Sequence, residues 1–299
     1  MRRFAVLLAL LVVALATRAA RREATWEPTR IGEHWVLEGD VHVHSSWVGA
    51  LATPVDLPLL ARRTQLDFIA VTEHNAWFGG AMTRALGRTL APEVIVLPSE
   101  EVTNRAYHLL AVGLARRVDP QQSLSAIAAD VHTQGGVVLA AHPTRETWPL
   151  LLGLAAAHGL DGAELYHPTM LHHPEVAAEY ATFLDEASER SGRRLLAAGS
   201  SDFHGGAQLG LARTLVLAKE RSAAGVLEAL HAGRAVAVTA DGRSAGDPGS
   251  LAALAHAGYV TRAGTVAAPG PTTALERVLA WLALAVMVAA LLRPRRSRR

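Results

Sequence analysis

The segment Asp40-Val41-His42-Val43-His44-Ser45 sets two imidazoles two residues apart. On a strand such residues point to one face, so His42 and His44 can share one cation. With 14 histidines in 299 residues, one His-x-His pair is weak on its own and needs company. The company comes from further along the chain. The run Phe68-Ile69-Ala70-Val71-Thr72 ends abruptly in Glu73-His74-Asn75, and Val94-Ile95-Val96-Leu97 leads through Pro98-Ser99 to Glu100-Glu101. His108 opens an apolar run, His142 closes Val138-Leu139-Ala140-Ala141, and Gly199-Ser200-Ser201 leads to Asp202-Phe203-His204, a second same-face pair. A buried strand has no packing reason to end in imidazoles and carboxylates. Their recurrence points to metal-assisted hydrolysis, in which divalent ions lower the pKa of a water and clamp the oxygens of a transition state.

These residues need strands to carry them. Val36–Val43, Phe68–Thr72, Val94–Leu97, His108–Val112, Val137–Ala141, Ala163–Tyr166, Leu195–Gly199, Thr214–Leu217 and Ala235–Val238 read as strands. Helix patterns cover Pro54–Gln65, Ser123–Thr133, Glu175–Glu189 and Ser222–Ala232. Alternation of this kind predicts an α/β fold with a parallel sheet, open or closed into a barrel. Active sites of barrel enzymes occupy the C-terminal rim of the strands, where the polar motifs fall. Residues 241–273, rich in Gly, Ala, Ser, Pro and Thr, read as a linker.

Composition removes several function classes. Cysteine is absent, which excludes a disulfide framework, a thiolate metal site and a cysteine nucleophile. The formal charge of +2 includes ten arginines within residues 1–22 and 293–299; without them 19 basic residues face 27 acidic ones, a net −8. That sign opposes a nucleic-acid partner. No phosphate-binding G-x-x-x-x-G-K-[ST] loop, G-x-S-x-G elbow or dinucleotide fingerprint is present.

The two ends suggest export. Arg2-Arg3 followed by apolar Phe4–Ala16 and the Ala14-Leu15-Ala16 site reads residues 1–22 as a signal peptide or N-terminal anchor. Val278–Leu292, followed by the arginine-rich residues 293–299, reads as a short transmembrane helix within 274–292 and a basic cytoplasmic tail. The expectation is a membrane-anchored domain outside the cytoplasm, in a periplasm or on the cell surface.

The order Asp-x-His-x-His-Ser, Val-Thr-acid-His-Asn, a carboxylate, Ala-His-Pro and Ser-Asp-x-His resembles the PHP (polymerase and histidinol phosphatase) superfamily over about residues 36–240. The resemblance implies a distorted seven-stranded (β/α) barrel for residues 34–240, related to the TIM barrel. It implies His42, His44, Glu101 and Asp202 on one metal, Glu101 bridging to a second held by His108 and His142, and His74 and His204 serving a third. Glu73 stands where the family commonly has Asp, and counts among the implied ligands. Val102-Thr103 aligns Glu101, rather than Glu100, with the bridging carboxylate. Two or three divalent ions of Zn, Mn or Fe type are therefore expected, with Glu101 and Asp202 at the chemistry.

A small-molecule phosphoester is the expected substrate class, with Arg145 and Arg213 as contacts to phosphate oxygens and Arg145 placed in the catalytic set. His167, ending a strand, is a candidate substrate ligand or general acid. The alternative is carboxylic ester, amide or carbamate hydrolysis, because residues 205–240, especially Leu227–Arg234, resemble a carbaryl-hydrolase-like branch of the superfamily. A polymerase-associated exonuclease and a metal-binding surface protein without turnover stand behind these. Trp47, Trp77 and Trp148 closely follow three of the metal motifs and either line the mouth or pack at the rim.

Overall fold

A computed structural model of the chain describes residues 26–46, 50, 52–205 and 208–264, together with 282 and 285. Runs of β-branched and apolar residues form the strands β1 (Thr29–Ile31), β2 (His34–Val43), β3 (Phe68–His74), β4 (Ile95–Thr103), β5 (His108–Val112), β6 (Val137–Ala140), β7 (Gly162–Tyr166), β8 (Leu196–Gly199), β9 (Ala212–Ala218), β10 (Ala235–Thr239) and β11 (Ser244–Gly246). Ten of them follow one path, β11-β10-β9-β2-β3-β4-β5-β6-β7-β8, and β1 pairs onto β2. Beyond β8, Phe203 bridges Val43 at the end of β2, and the His44 N–H donates to the Phe203 carbonyl at 3.0 Å. The sheet thereby curls into a nearly closed α/β barrel.

Two expectations change here. The path holds ten strands, not seven, because β9, β10 and β11 extend the sheet beyond β2. The sheet is also mixed: β2-β3-β4 and β6-β7-β8 are parallel, whereas β4-β5, β5-β6, β2-β9, β9-β10 and β10-β11 are antiparallel. β4 and β5 are joined by the short connection 104–107, which permits only an antiparallel return.

Strand alternation sorts the core into layers. Leu37, Val41, Phe68, Ala70, Leu110, Val112, Leu139 and Ala198, contributed from around the barrel, form the interior cluster. Ile69, Val71 and Val96 face outward against Leu57, Leu60 and Ala61 of the helix Asp56–Arg63. Val43 also belongs to that outer cluster, although it shares parity with the interior Val41. The pairing of β2 with β3 shifts register between Asp40 and Val43, and this irregularity turns His42 and His44 to the inner side at the rim.

Helices Ser123 and Ser222 cap begin where expected, their hydroxyls accepting the N–H groups of Ala126 and Gly225. The expected linker is not a linker over its described part. Residues 244–264 form β11 and the helix Pro248–His256, then return to the barrel, where the Tyr259 hydroxyl donates to Glu38 at 2.8 Å and Arg262 pairs with Asp67. Among the described residues no helix is long and apolar enough to cross a membrane. The expected transmembrane helix Val278–Leu292 is withdrawn on that finding, and with it the membrane-anchored localisation; apart from residues 282 and 285 that segment lies outside the described residues, as do residues 1–22 and 293–299.

Candidate metal centre

The polar motifs meet at one rim. β2 carries His42 near its end and His44 just beyond it, β3 ends in His74, and Glu101 lies on β4 directly opposite His74. His108 opens β5 opposite Thr103 at the end of β4, His142 follows β6, and Asp202 and His204 follow β8. Loop anchors hold the set. The Asn75 amide donates to the Thr103 carbonyl at 2.8 Å, and its oxygen accepts the Thr103 N–H at 3.0 Å, locking the ends of β3 and β4 together. Asp40 accepts the Ser201 N–H at 3.1 Å, the Gly210 N–H at 2.9 Å and the Ser201 hydroxyl, which ties the Asp202 loop to β2. Burial outweighs those bonds and pushes the Asp40 carboxyl up to about 6.

Four donor atoms converge at the centre. His42 Nε2 lies 3.4 Å from Glu101 Oε2 and 3.2 Å from Asp202 Oδ1, and His44 Nε2 repeats both distances. None of these four buried atoms has a hydrogen-bond partner among the described residues, a costly arrangement for polar groups out of water. Atoms held about 2.0–2.1 Å from one cation in a tetrahedron stand about 3.3–3.4 Å apart. The geometry and the donor chemistry both fit a divalent ion.

Glu101 Oε1 faces the other way, 2.7 Å from His108 Nδ1 and 3.4 Å from His142 Nε2, and these three form a second ligand group. His44, His74 and His204 form a third, with His44 ring centroids 4.5 Å from His74 and 4.2 Å from His204. His74 also lies 2.7 Å from Glu101 Oε2, a contact that raises the imidazole pKa. Glu101 thus sits among five imidazoles. Burial alone would raise its pKa, but His42, His108 and His142 hold it far below the ordinary carboxylate range. Asp202 is likewise raised by burial and held far down by His42, His167 and His44. Burial brings His44 down to about 4, so the ring is neutral and one nitrogen keeps a lone pair free to ligate.

Glu164 was missed at the level of sequence. It is fully buried on β7, Oε1 lies 2.8 Å from His42 Nδ1, and Oε2 accepts the His142 N–H at 2.6 Å. Burial would raise it, but His42 and His167 bring it down to about 2. It is therefore a carboxylate, so His42 keeps a proton on Nδ1 and directs Nε2 toward Glu101 and Asp202, where a bound cation would displace the second proton. His42 is pushed down by burial but held well above its ordinary value by Glu164, Glu101 and Asp202. The available signal was an acid inside the otherwise uncharged Gly162-Ala163-Glu164-Leu165-Tyr166.

His167 joins the rim. Its Nδ1 accepts the Thr169 N–H at 3.2 Å, which puts the ring proton on Nε2, 3.4 Å from Asp202 Oδ2. His142 and Asp202 hold left-handed backbone, with φ of 27° and 42°; strain of this kind costs about 1–3 kcal/mol per residue and clusters at functional sites.

Other expected site residues lie elsewhere. Both oxygens of Glu73 take the Ser45 N–H at 3.2 Å, and one takes its hydroxyl, so Glu73 braces the loop after β2 and is in none of the ligand groups. Burial pushes it up to about 7. Arg213 is fully buried against Glu38 at 2.7 Å and donates to the Thr64 and Gly210 carbonyls, a core ion pair rather than a substrate contact. Arg145 is exposed, paired to Glu179 at 3.2 Å and laid over Trp148. Trp148 and Trp77 pack on the core and donate to the Pro143 and Leu114 carbonyls; Trp47 lies outside the described residues.

No protein-family model matches this chain. A two-domain protein from Bacteroides vulgatus containing a predicted PHP-like metal-dependent phosphoesterase is similar in structure, with a TM-score of 0.62 and 21% identity over 79% of this chain and 74% of that one. A protein from Bifidobacterium adolescentis described as a predicted metal-dependent phosphoesterase matches at a TM-score of 0.41 and 18% identity, over 62% of this chain and 92% of that one. In sequence, an uncharacterized protein of Methanocaldococcus jannaschii is 21% identical over 142 residues, 44% of this chain and 82% of that protein. The chain has a PHP-like fold. Nothing in these matches points to the carbaryl-hydrolase-like branch, and that finer expectation is dropped.

Proposed function

We propose that this chain, PHP-like in fold, is a metal-dependent hydrolase that cleaves small phosphate esters. One observation carries the reading: Nε2 of both His42 and His44 stands 3.2–3.4 Å from buried oxygens of Glu101 and Asp202, the length of a tetrahedral edge, while the second oxygen of Glu101 meets His108 and His142. Imidazole and carboxylate donors suit Zn, Mn or Fe. We assign two ions to the groups that share Glu101, and a third, more open position to His44, His74 and His204. When bound, such cations supply Lewis acidity, drawing the pKa of a water toward neutrality and offsetting charge on the ester oxygens.

The chain's own residues do the rest. Glu101 fixes the spacing of the two ligand groups by offering one oxygen to each. Glu164 orients His42 through Nδ1 and holds His142 through its backbone N–H. His167 presents Nε2–H beside Asp202, where it can donate to the oxygen of a departing alcohol. Arg213 on Glu38 and Arg145 on Glu179 are committed elsewhere, and we assign charge compensation for a phosphoryl group to the metal centre. The likeness to a protein containing a PHP-like phosphoesterase supports this substrate class.

The test is turnover by purified, metal-loaded protein of p-nitrophenyl phosphate and bis(p-nitrophenyl) phosphate beside p-nitrophenyl acetate. Phosphate esters should be cleaved faster, and Asp202→Asn should abolish the activity. Faster acetate cleavage, surviving in Asp202→Asn, would reject the proposal.

A further inference from the structure

A cavity of about 160 Å³ opens beside the metal centre, walled by Tyr166, His167, Met170 and Leu211, with Asp241 and Arg243 at one side. Its size is that of a single ring, since a cavity of about 150 Å³ accommodates benzene. Its walls are mainly apolar, and its ionic groups cancel: Arg243 Nε donates to Asp241 at 3.0 Å, and the guanidinium lies over the Tyr166 ring at 5.7 Å. A second anionic group on the substrate would find no uncommitted cation among the cavity's lining residues.

His167 belongs to both places. Its Nε2 points to Asp202 at 3.4 Å and its ring centroid lies 5.2 Å from that of His142, yet the same residue lines the cavity. The cavity therefore lies on the side where an ester oxygen within reach of Nε2 can extend its carbon substituent past His167. We infer that this cavity is the leaving-group subsite and takes an uncharged aromatic ring, which makes the substrates aryl or arylalkyl esters. The inference rests on the hydrolase reading above and adds to it the identity of the alcohol. In hydrolysis the P–O bond to that alcohol breaks, water supplies the new oxygen on phosphorus, and a proton goes to the departing oxygen.

Binding tests this without turnover. Phenylphosphonate, methylphosphonate, phenylacetate and acetate are titrated calorimetrically into the Mn-loaded protein and into two variants, Leu211→Trp and the exposed-position Ala240→Trp, both of which fill the cavity. The aryl member of each pair should bind at least about tenfold tighter than its methyl partner, and either tryptophan should bring that ratio close to one. A ratio near one in the native protein, or an unchanged ratio in both variants, overturns the subsite. The head-group comparison reads the other claim separately: an aryl preference with phosphonates no tighter than carboxylates sinks the phosphoester reading and leaves the cavity standing, whereas tight methylphosphonate binding with no aryl preference does the reverse. Absence of binding by all four probes sinks both.

Discussion

Glu164→Gln isolates the second tier of the site. The substitution keeps shape and burial but removes the charge that meets His42 Nδ1 at 2.8 Å and the His142 N–H at 2.6 Å. A buried hydrogen bond to a charged group is worth about 1.5–3 kcal/mol, which at about 1.4 kcal/mol per decade is roughly 10- to 100-fold in metal affinity. Carboxylates behind ligating histidines elsewhere cost a similar factor when lost. The amide also leaves the His42 tautomer unenforced, because a Gln amide can either accept from Nδ1 or donate to it. Zn affinity is measured by competition with a chromophoric chelator, beside kcat/KM for a phosphate ester. Ser200→Ala serves as control, since it removes one hydrogen bond to Glu164 Oε1 and spares the charge. Zn affinity and kcat/KM should both fall about 10- to 100-fold in Glu164→Gln. A folded Glu164→Gln protein within about twofold of native on both measures would refute the support role.

Glu101→Gln should cost at least about 100-fold in kcat/KM, while Glu100→Gln, whose parent is pushed up to about 7 by burial and accepts the Val118 N–H at 3.1 Å, should stay within about threefold; comparable small losses would mean the bridge is misassigned. Arg213→Met leaves Glu38 buried with Tyr259 and Arg262 as its remaining partners among the described residues, so stability should fall by about 3 kcal/mol, or roughly 6–12 °C in Tm; a Tm within 2 °C of native, by scanning calorimetry, would contradict the core-pair assignment. His132 is raised by its 2.7 Å contact with Asp161. Its stabilisation is complete below the unfolded histidine pKa of about 6.5 and is lost as pH rises through the higher folded value. His132→Ala should therefore cost about 1 kcal/mol in urea unfolding at pH 5.5 and less at pH 9; an equal cost at both would show that the interaction is not ionic.

The parts of the fold that were legible are those where local pattern and tertiary role agree. His108–Val112 is a strand with the bounds its apolar run suggests, and the histidines closing β2 and β3 announce themselves because polar groups have no packing reason to end buried strands. The helix Phe78–Leu90 was not legible, since Gly79, Gly80 and Gly87 weaken its propensity. Those glycines answer to contacts distant in sequence: a Cβ on Gly79 would meet Glu73 at 2.5 Å, and one on Gly80 would meet the Pro98 backbone at 3.0 Å. Arg213 looked like a phosphate ligand because arginine is ordinarily exposed, and its partner Glu38 is 175 residues away. Residues 244–264 looked like a linker by composition, but Tyr259 and Arg262 fasten them to Glu38 and Asp67, carboxylates whose burial nothing nearby in sequence reveals. The turn of His42 and His44 to one inner face depends on a register shift in β2 that simple alternation does not contain.

The most direct test of the account is anomalous diffraction from crystals of protein purified without chelator and equilibrated with Zn or Mn. It should give one peak within about 2.0–2.2 Å of His42 Nε2, His44 Nε2, Glu101 Oε2 and Asp202 Oδ1, and a second against Glu101 Oε1, His108 and His142. Metal-saturated crystals with no peak among the first four atoms would contradict it.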